Sequence, residues 1–226
     1  MALRMTCPVS HLFRKLPTFP VHPRGCYPIP PDIMVLDMVL DIVQIGHPVL
    51  RAPCHDVPGE ELGTPGMQEF VDDLIETKRA ANGAGIAAPQ VGKPWRMFIV
   101  EVRDNPRYPY KPDAELTVCV NPRITFLTPD RYLNYEGCLS IPDLRGQVPR
   151  CPHIRLQALD RFGVPFEREI KGITAGTFQH EYDHLEGILF PDRADPRTFC
   201  TWKEFAERYQ AGVEKAVRQV VDQWGE

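Results

Sequence analysis

Two histidines stand four residues apart in QHEYDHLEGILF, residues 179 to 190, with a glutamate directly after the first. On a helix this spacing puts His180 and His184 one turn apart on the same face, so both can point a ring nitrogen at one cation, with Glu181 over an open coordination position. A cation held that way lowers the pKa of a water toward neutrality, and a neighbouring carboxylate can take the proton and return it to a departing amine. The pattern points to metal-assisted attack on a carbonyl, provided that a third ligand exists. Without one it is a solvent-facing helix carrying two histidines.

Three positions compete for that third place. In the longer pattern H-E-x-x-H-x-x-G-x-x-H the chain matches the glycine at Gly187 but has Phe190 where the last histidine belongs, and a phenyl ring binds no metal. Glu204, twenty residues after His184, would give a thermolysin-like endopeptidase, although TWKEFAE reads as an ordinary amphipathic stretch with a solvated charge. Cys138, in NYEGCLSIPD, would add a thiolate to two imidazoles, a good donor set for zinc or ferrous iron with a fourth position left for water.

The elements that must position these residues can be read from periodicity. Met67, Phe70, Val71, Leu74 and Ile75 fall on one stripe of a helix from Pro65 to Asn82, with Asp72, Asp73 and Glu76 on its polar side. Strands are expected at MFIVEV (97 to 102), TVCVNP (117 to 122), IRLQALD (154 to 160) and PFEREIKG (165 to 172), the last two forming a hairpin about Arg161-Phe162-Gly163. A second helix, Ile173 to Glu186, carries the histidines and stops at Gly187. A last helix, Trp202 to Trp224, has Trp202, Phe205, Tyr209, Val213, Ala216, Val217 and Val220 along one side. Strands and helices do not alternate in βαβ order, so the fold expected is α+β, with antiparallel sheets packed around the histidine-bearing helix.

The chain of 226 residues has a net charge of −4, which argues against a dedicated nucleic-acid or anionic-membrane binder. Its most apolar run, Ile33 to Ile45, is short and interrupted by Asp37 and Asp41, so no span is expected. Seven cysteines at irregular spacing, with no C-x-x-C pair, speak for a reducing compartment rather than a disulfide framework. Residues 1 to 37 form a proline-rich segment with no acid before Asp32, expected to be poorly ordered; a targeting peptide, a loosely packed arm and a true start at Met34 or Met38 all fit it. The domain proper is placed at 38 to 226.

Three segments in one order, GAGIAAPQVG (83 to 92), EGCLS (136 to 140) and QHEYDH (179 to 184), resemble the three motifs of the bacterial-type peptide deformylases. The resemblance also runs through IPDLRGQVPR and the LDRFG hairpin, from about Val43 to Pro191. It implies metal ligation by Cys138, His180 and His184, with Glu181 as general base. It implies one ferrous iron per chain, with zinc, nickel or cobalt as substitutes, and a substrate of nascent N-formylmethionyl peptides.

The same pattern gives roles to Gly85, Gln90 and Leu139. Gln90 offers a side-chain N–H and Leu139 a backbone N–H to a developing oxyanion, and Gly85 lets a peptide backbone come close enough to add itself to a strand edge. The resemblance requires an apolar slot for the methionine side chain; Ile173, Gly176 and Thr177 stand one turn or so before the ligands and are expected to line it, opposite Leu139. Arg145, expected in the loop after Cys138, is assigned to the peptide beyond methionine, and Asp183 to an ion pair with Arg150. The ribosome is a compatible partner; neither DNA nor a membrane is. The cytoplasm is the expected compartment, with organelle import as the alternative if the first segment is a transit peptide. A catalytically inactive, metal-stabilised binding module is the non-enzymatic alternative, and it would have lost the base or a ligand.

Overall fold

A computed structural model describes residues 38 to 225, so the expectation for the first 37 residues lies outside the described part. The first long helix, α1 (Pro65–Ala80), starts where Thr64 accepts the Met67 N–H on its hydroxyl and Pro65 takes the first helical position. It ends as Asn82 turns into the left-handed region at φ 52°. Strands β1 (Gly85–Ala87) and β2 (Met97–Val102) follow, then β3 (Ala114–Phe126), β4 (Tyr132–Cys138), β5 (Ile141–Arg150), β6 (His153–Leu159) and β7 (Pro165–Lys171). Helix α2 (Gly172–Leu185) comes next, and α3 (Gln210–Trp224) closes the chain.

Among the described residues these strands pair antiparallel throughout: one sheet runs β1-β2-β3-β6-β7 and a second consists of β4-β5. β2 explains the layering. All six of its residues are buried, so MFIVEV shows no polar face, and its side chains alternate between two cores. Phe98 and Val100 pack with Ala175, Phe178 and Leu185 of α2, while Met97 and Ile99 pack with Met67, Val71, Leu74 and Ile75 of α1. Each fully buried side chain of this kind stabilises the fold by roughly 1.5–3 kcal/mol. Helix α2 also packs against strands of both sheets, which makes it the element they share.

Glu101 is the exception on β2. Its position in the alternation aims it at α1, where Lys78 Nζ stands 2.6 Å and Arg79 Nη2 2.8 Å from its carboxylate. Arg79, then Lys78, hold the Glu101 carboxyl down at about 2, from 4.5, against the effect of burial. A folded-state pKa below the unfolded one gives stability that is complete above about pH 4.5 and lost as pH falls toward 2. With solvent screening on the half-exposed Arg79, the contribution is on the order of 2 kcal/mol. We expect the difference in urea midpoint between the wild type and Glu101→Gln to shrink steadily from pH 5 to pH 2; a difference independent of pH would contradict this.

Two expectations need correction. Asp73 was placed on the solvent side of α1 but is 8% exposed, because the start of the described chain lies along that side: Met38 N–H donates to its carboxylate at 2.6 Å and Leu40 N–H to Thr77 Oγ1 at 2.8 Å. The last helix is not one continuous element from Trp202. A short α-helical turn, Trp202–Glu204, leads into a π-helical stretch, Phe205–Tyr209, before α3 begins. That wider turn buries Phe205 and lets Tyr209 stack on Tyr135 with centroids 5.7 Å apart, whereas Ala216 is exposed.

Candidate active site

Cys138 is the last residue of β4, and Leu139-Ser140 forms the tight turn into β5, with a register shift between Glu136 and Cys138. This turn meets α2. The helix ends as expected at Gly187, which has φ 69°; Gly187 N–H donates to the His184 carbonyl and Ile188 N–H to the Asp183 carbonyl, the paired bonds of a Schellman motif. No other residue fits there, since a Cβ on Gly187 would stand 2.7 Å from the Arg51 carbonyl oxygen.

Where strand end and helix meet, one ligand atom each from Cys138, His180 and His184 lies within 4.8 Å of the others. Among the described residues no other group of three such side chains converges. Cys138 Sγ is 3.4 Å from His184 Nε2, and the two imidazoles lie nearly perpendicular with centroids 5.1 Å apart. His180 presents Nδ1 to Glu136 Oε2 at 2.8 Å, which leaves Nε2 for a metal. Phe190, which took the place of a third histidine in the longer pattern, instead stacks on His180 at 6.5 Å.

The cluster passes a test of fit for a metal. Glu181 Oε2 is buried without a hydrogen-bond partner, as is His184 Nδ1, and a buried unpaired carboxylate oxygen beside a thiol and two imidazoles is costly unless something is bound there. Burial pushes the Glu181 carboxyl up to about 7, with His180 and Lys111 opposing. Burial and His180 push His184 well below its ordinary value. His180 moves the other way: burial opposes its charge, but Cys138 and Glu136 outweigh it.

Behind the candidate ligands lies a relay of ion pairs. Glu136 receives Arg150 Nε at 2.7 Å and Nη2 at 2.9 Å; Arg150 Nη1 reaches Asp183 Oδ2 at 2.7 Å, as expected for that pair, and Arg193 also binds Asp183. Burial disfavours the Glu136 charge, yet Arg150 and His180 hold its pKa well below the ordinary range.

The other expected residues divide. Gly85, Gln90, Leu139, Gly176 and Thr177 all line the cleft beside the ligands. Gln90 Oε1 accepts the Ala87 N–H at 2.8 Å, which fixes the amide so that Nε2 faces Cys138 Sγ and Ser140 Oγ at 3.5 and 3.2 Å. A Cβ on Gly85 would stand 2.5 Å from Glu181 Oε1, so glycine is what gives the Glu181 side chain its room.

Ile173 is buried and does not line the cleft; its carbonyl accepts the Tyr132 hydroxyl, which fills the space over Gly176. Arg145 is not in a loop but on β5, with no exposed surface. Its guanidinium lies 3.9 Å from the Phe205 ring centre and 4.2 Å from that of Trp202, and donates to the Tyr135 carbonyl at 2.7 Å. The aromatic cage takes the place of water around the cation, which puts it out of reach of a peptide. Glu204, the rival ligand, pairs with Arg208.

Tyr108, Lys111, Asn134, Tyr135 and Glu136 also line the cleft, and the sequence reading assigned none of them a role. Tyr108 and Lys111 sit in an irregular loop where no periodicity operates; Glu136 was legible only through its adjacency to Gly137-Cys138.

Residues 39 to 199 match the family model described as polypeptide deformylase. The chain belongs to the polypeptide deformylase family. It is 43% identical over 157 residues to peptide deformylase 2 of Nostoc sp., spanning 70% of this chain and 87% of that protein. It is 36% identical over 185 residues to the chloroplastic peptide deformylase 1A of Solanum lycopersicum, spanning 77% and 66%. Among solved structures, the class I type b peptide deformylase of Acinetobacter baumannii with Met-Ala-Ser bound aligns with a TM-score of 0.68 and 39% identity, covering 70% of this chain and 99% of that one. A peptide deformylase of Synechococcus elongatus in complex with actinonin aligns at 0.62 and 27%, covering 81% and 85%. As a deformylase the chain is a metal-dependent hydrolase that removes N-formyl groups from polypeptides. With Glu181 and all three candidate ligands present, neither the endopeptidase nor the inactive-module alternative is favoured.

Proposed function

We propose that the cleft releases formate from the initiator methionine of nascent polypeptides, with ferrous iron held by Cys138 Sγ, His180 and His184. The observation that carries this is the convergence of those three ligand atoms beside a buried, unpartnered Glu181 oxygen. When bound, the cation acidifies water and polarises the formyl carbonyl. Glu181 takes the proton from the attacking water and returns it to the methionine amine as that group departs. Gln90 Nε2 and the Leu139 N–H donate to the developing oxyanion, an effect worth roughly 10²–10³ in rate per donor.

The substrate enters extended. β1 is an edge of the five-stranded sheet, and Gly85 on it faces the cleft, so a peptide can add as a further strand there with its methionine side chain beside Gly176 and Thr177. Such a substrate makes the ribosome a compatible partner, although the last helix has no basic stripe to dock on RNA. Among the described residues no helix is long and apolar enough to cross a membrane. The cytoplasm fits the family's bacterial members, and the chloroplastic name of the tomato relative keeps organelle import as the alternative.

The test is formate release from formyl-Met-Ala-Ser by anaerobically prepared protein loaded with iron or with zinc, beside the acetylated peptide. We expect turnover confined to the formyl peptide and faster with iron. Equal rates in the two metal forms would overturn the assignment of iron, and cleavage of the acetylated peptide at the same rate would overturn the assignment of substrate.

A further inference from the structure

The two donors assigned to the oxyanion stand on different elements. Gln90 belongs to a short 3-10 helical turn, Ala88–Val91, and Leu139 to the turn between β4 and β5. One side-chain bond joins these turns directly, from Gln90 Nε2 to Ser140 Oγ at 3.2 Å, and it uses one N–H of the amide whose other N–H must face the oxyanion.

The backbone before α1 supplies a second link. Residues 38 to 44 belong to no helix or strand, yet their course is fixed by bonds to other elements. Val43 N–H donates to the Gln90 carbonyl at 2.9 Å, and Ile45 N–H to the Ser140 carbonyl at 2.8 Å. Two positions of one extended segment thus hold both donor turns. Its other end is fastened to α1: Met38 N–H donates to Asp73 Oδ1 at 2.6 Å and Leu40 N–H to Thr77 Oγ1 at 2.8 Å, while the Thr77 hydroxyl donates to the Asp73 carbonyl at 2.6 Å. Thr77 is as deeply buried as a core residue. The segment itself covers little apolar surface, since Met38, Val39 and Ile45 are exposed and only Ile42 and Val43 pack in part against the cores. Hydrogen bonds therefore carry much of what keeps this strap in place.

Resting on the assignment of Gln90 and Leu139 to the oxyanion, we propose that Thr77 and Asp73 are positioning residues for the reaction. By anchoring the strap on α1 they set where the two donor turns stand. Neither side chain lines the cleft, so the effect passes through the backbone of residues 38 to 45. An oxyanion donor acts on the transition state and little on the bound substrate, so displacing one lowers kcat and kcat/KM by the same factor and leaves KM unchanged.

The experiment measures kcat and KM of the metal-loaded full chain for formyl-Met-Ala-Ser. Thr77→Val keeps the shape of the side chain without its hydroxyl, and Thr77→Ser keeps the hydroxyl. A misplacement of about 1 Å remote from the chemistry can cost about 10²-fold, so Thr77→Val should lower kcat by about tenfold or more with KM within about twofold of wild type. Thr77→Ser should stay within about threefold of wild type in both constants. Asp73→Ala and Asp73→Asn form the parallel pair, and keep the test decisive if Thr77→Val does not fold. In a Gln90→Ala background the factor lost to Thr77→Val or Asp73→Ala should shrink by about threefold or more, because one of the displaced donors is already gone. A purely structural defect would cost the same factor in both backgrounds. A kcat within about threefold of wild type in the variants that fold, a rise in KM alone, or an undiminished loss in the Gln90→Ala background would overturn the proposal and leave the deformylase reading intact. Wild-type kcat in Gln90→Ala itself would remove the oxyanion assignment, and this proposal with it. No turnover by the wild type would remove the deformylase reading as well.

Discussion

Glu181→Gln should lower formate release by roughly 10²–10⁴-fold, the usual range for a lost general acid–base, with metal content unchanged. Glutamine keeps the shape of the side chain that packs against Gly85 but cannot accept a proton. The carboxyl is 4% exposed, directly after one ligand in sequence, with one oxygen unpaired. Burial sets its pKa at about 7, and a cation at the ligands would pull it lower. A base works in its ionised form, so the acid limb of the rate profile should lie at or below pH 7, with activity rising with pH across it. Metal analysis and formate assays on the same preparation provide the check. Activity within tenfold of wild type would mean that another group takes the proton.

Arg150→Met should cost about 3–5 kcal/mol, the usual loss when one partner of a buried ion pair is removed. Arg150 has a 3% exposed side chain between Glu136 and Asp183, two carboxylates almost equally buried. Without it Asp183 keeps Arg193, but Glu136 keeps only His180 and the neutral Asn134 amide. Glu136 would then bind a proton more readily, and the imidazole it orients would lose its anchor. Metal affinity should fall by roughly 10–100-fold, as it commonly does when the group orienting a ligand is disturbed. The urea midpoint and metal retention on dialysis read the two effects separately. An unmoved midpoint would show that the relay contributes nothing to the fold.

The sequence by itself determined the local elements and their chemistry. The alternation in IRLQALD and FEREI and the stripe on α1 each report which face of an element meets a core. Gly187 marks the end of α2 because only glycine tolerates its backbone angle and the approach of Arg51. His180, Glu181 and His184 lie about one turn apart, so their spacing is legible as two ligands and a base of a metal site, on the condition that a third ligand exists.

The third ligand was different. Read from residues alone, Cys138 and Glu204 both stood open, and only the likeness of three motifs chose between them. Cys138 is brought to the histidines by the β4-β5 turn packing on α2, an arrangement that no local period encodes. The same holds for Arg145, whose charge suggested solvent until Trp202 and Phe205 closed over it, and for Asp73, covered by the chain at Met38 and Leu40. It holds for Lys111 as well, placed in the cleft by a loop with no pattern to read. Periodicity records how a residue relates to its own helix or strand; which distant side chain it will meet depends on how those elements pack, and that is decided only when the whole chain has folded.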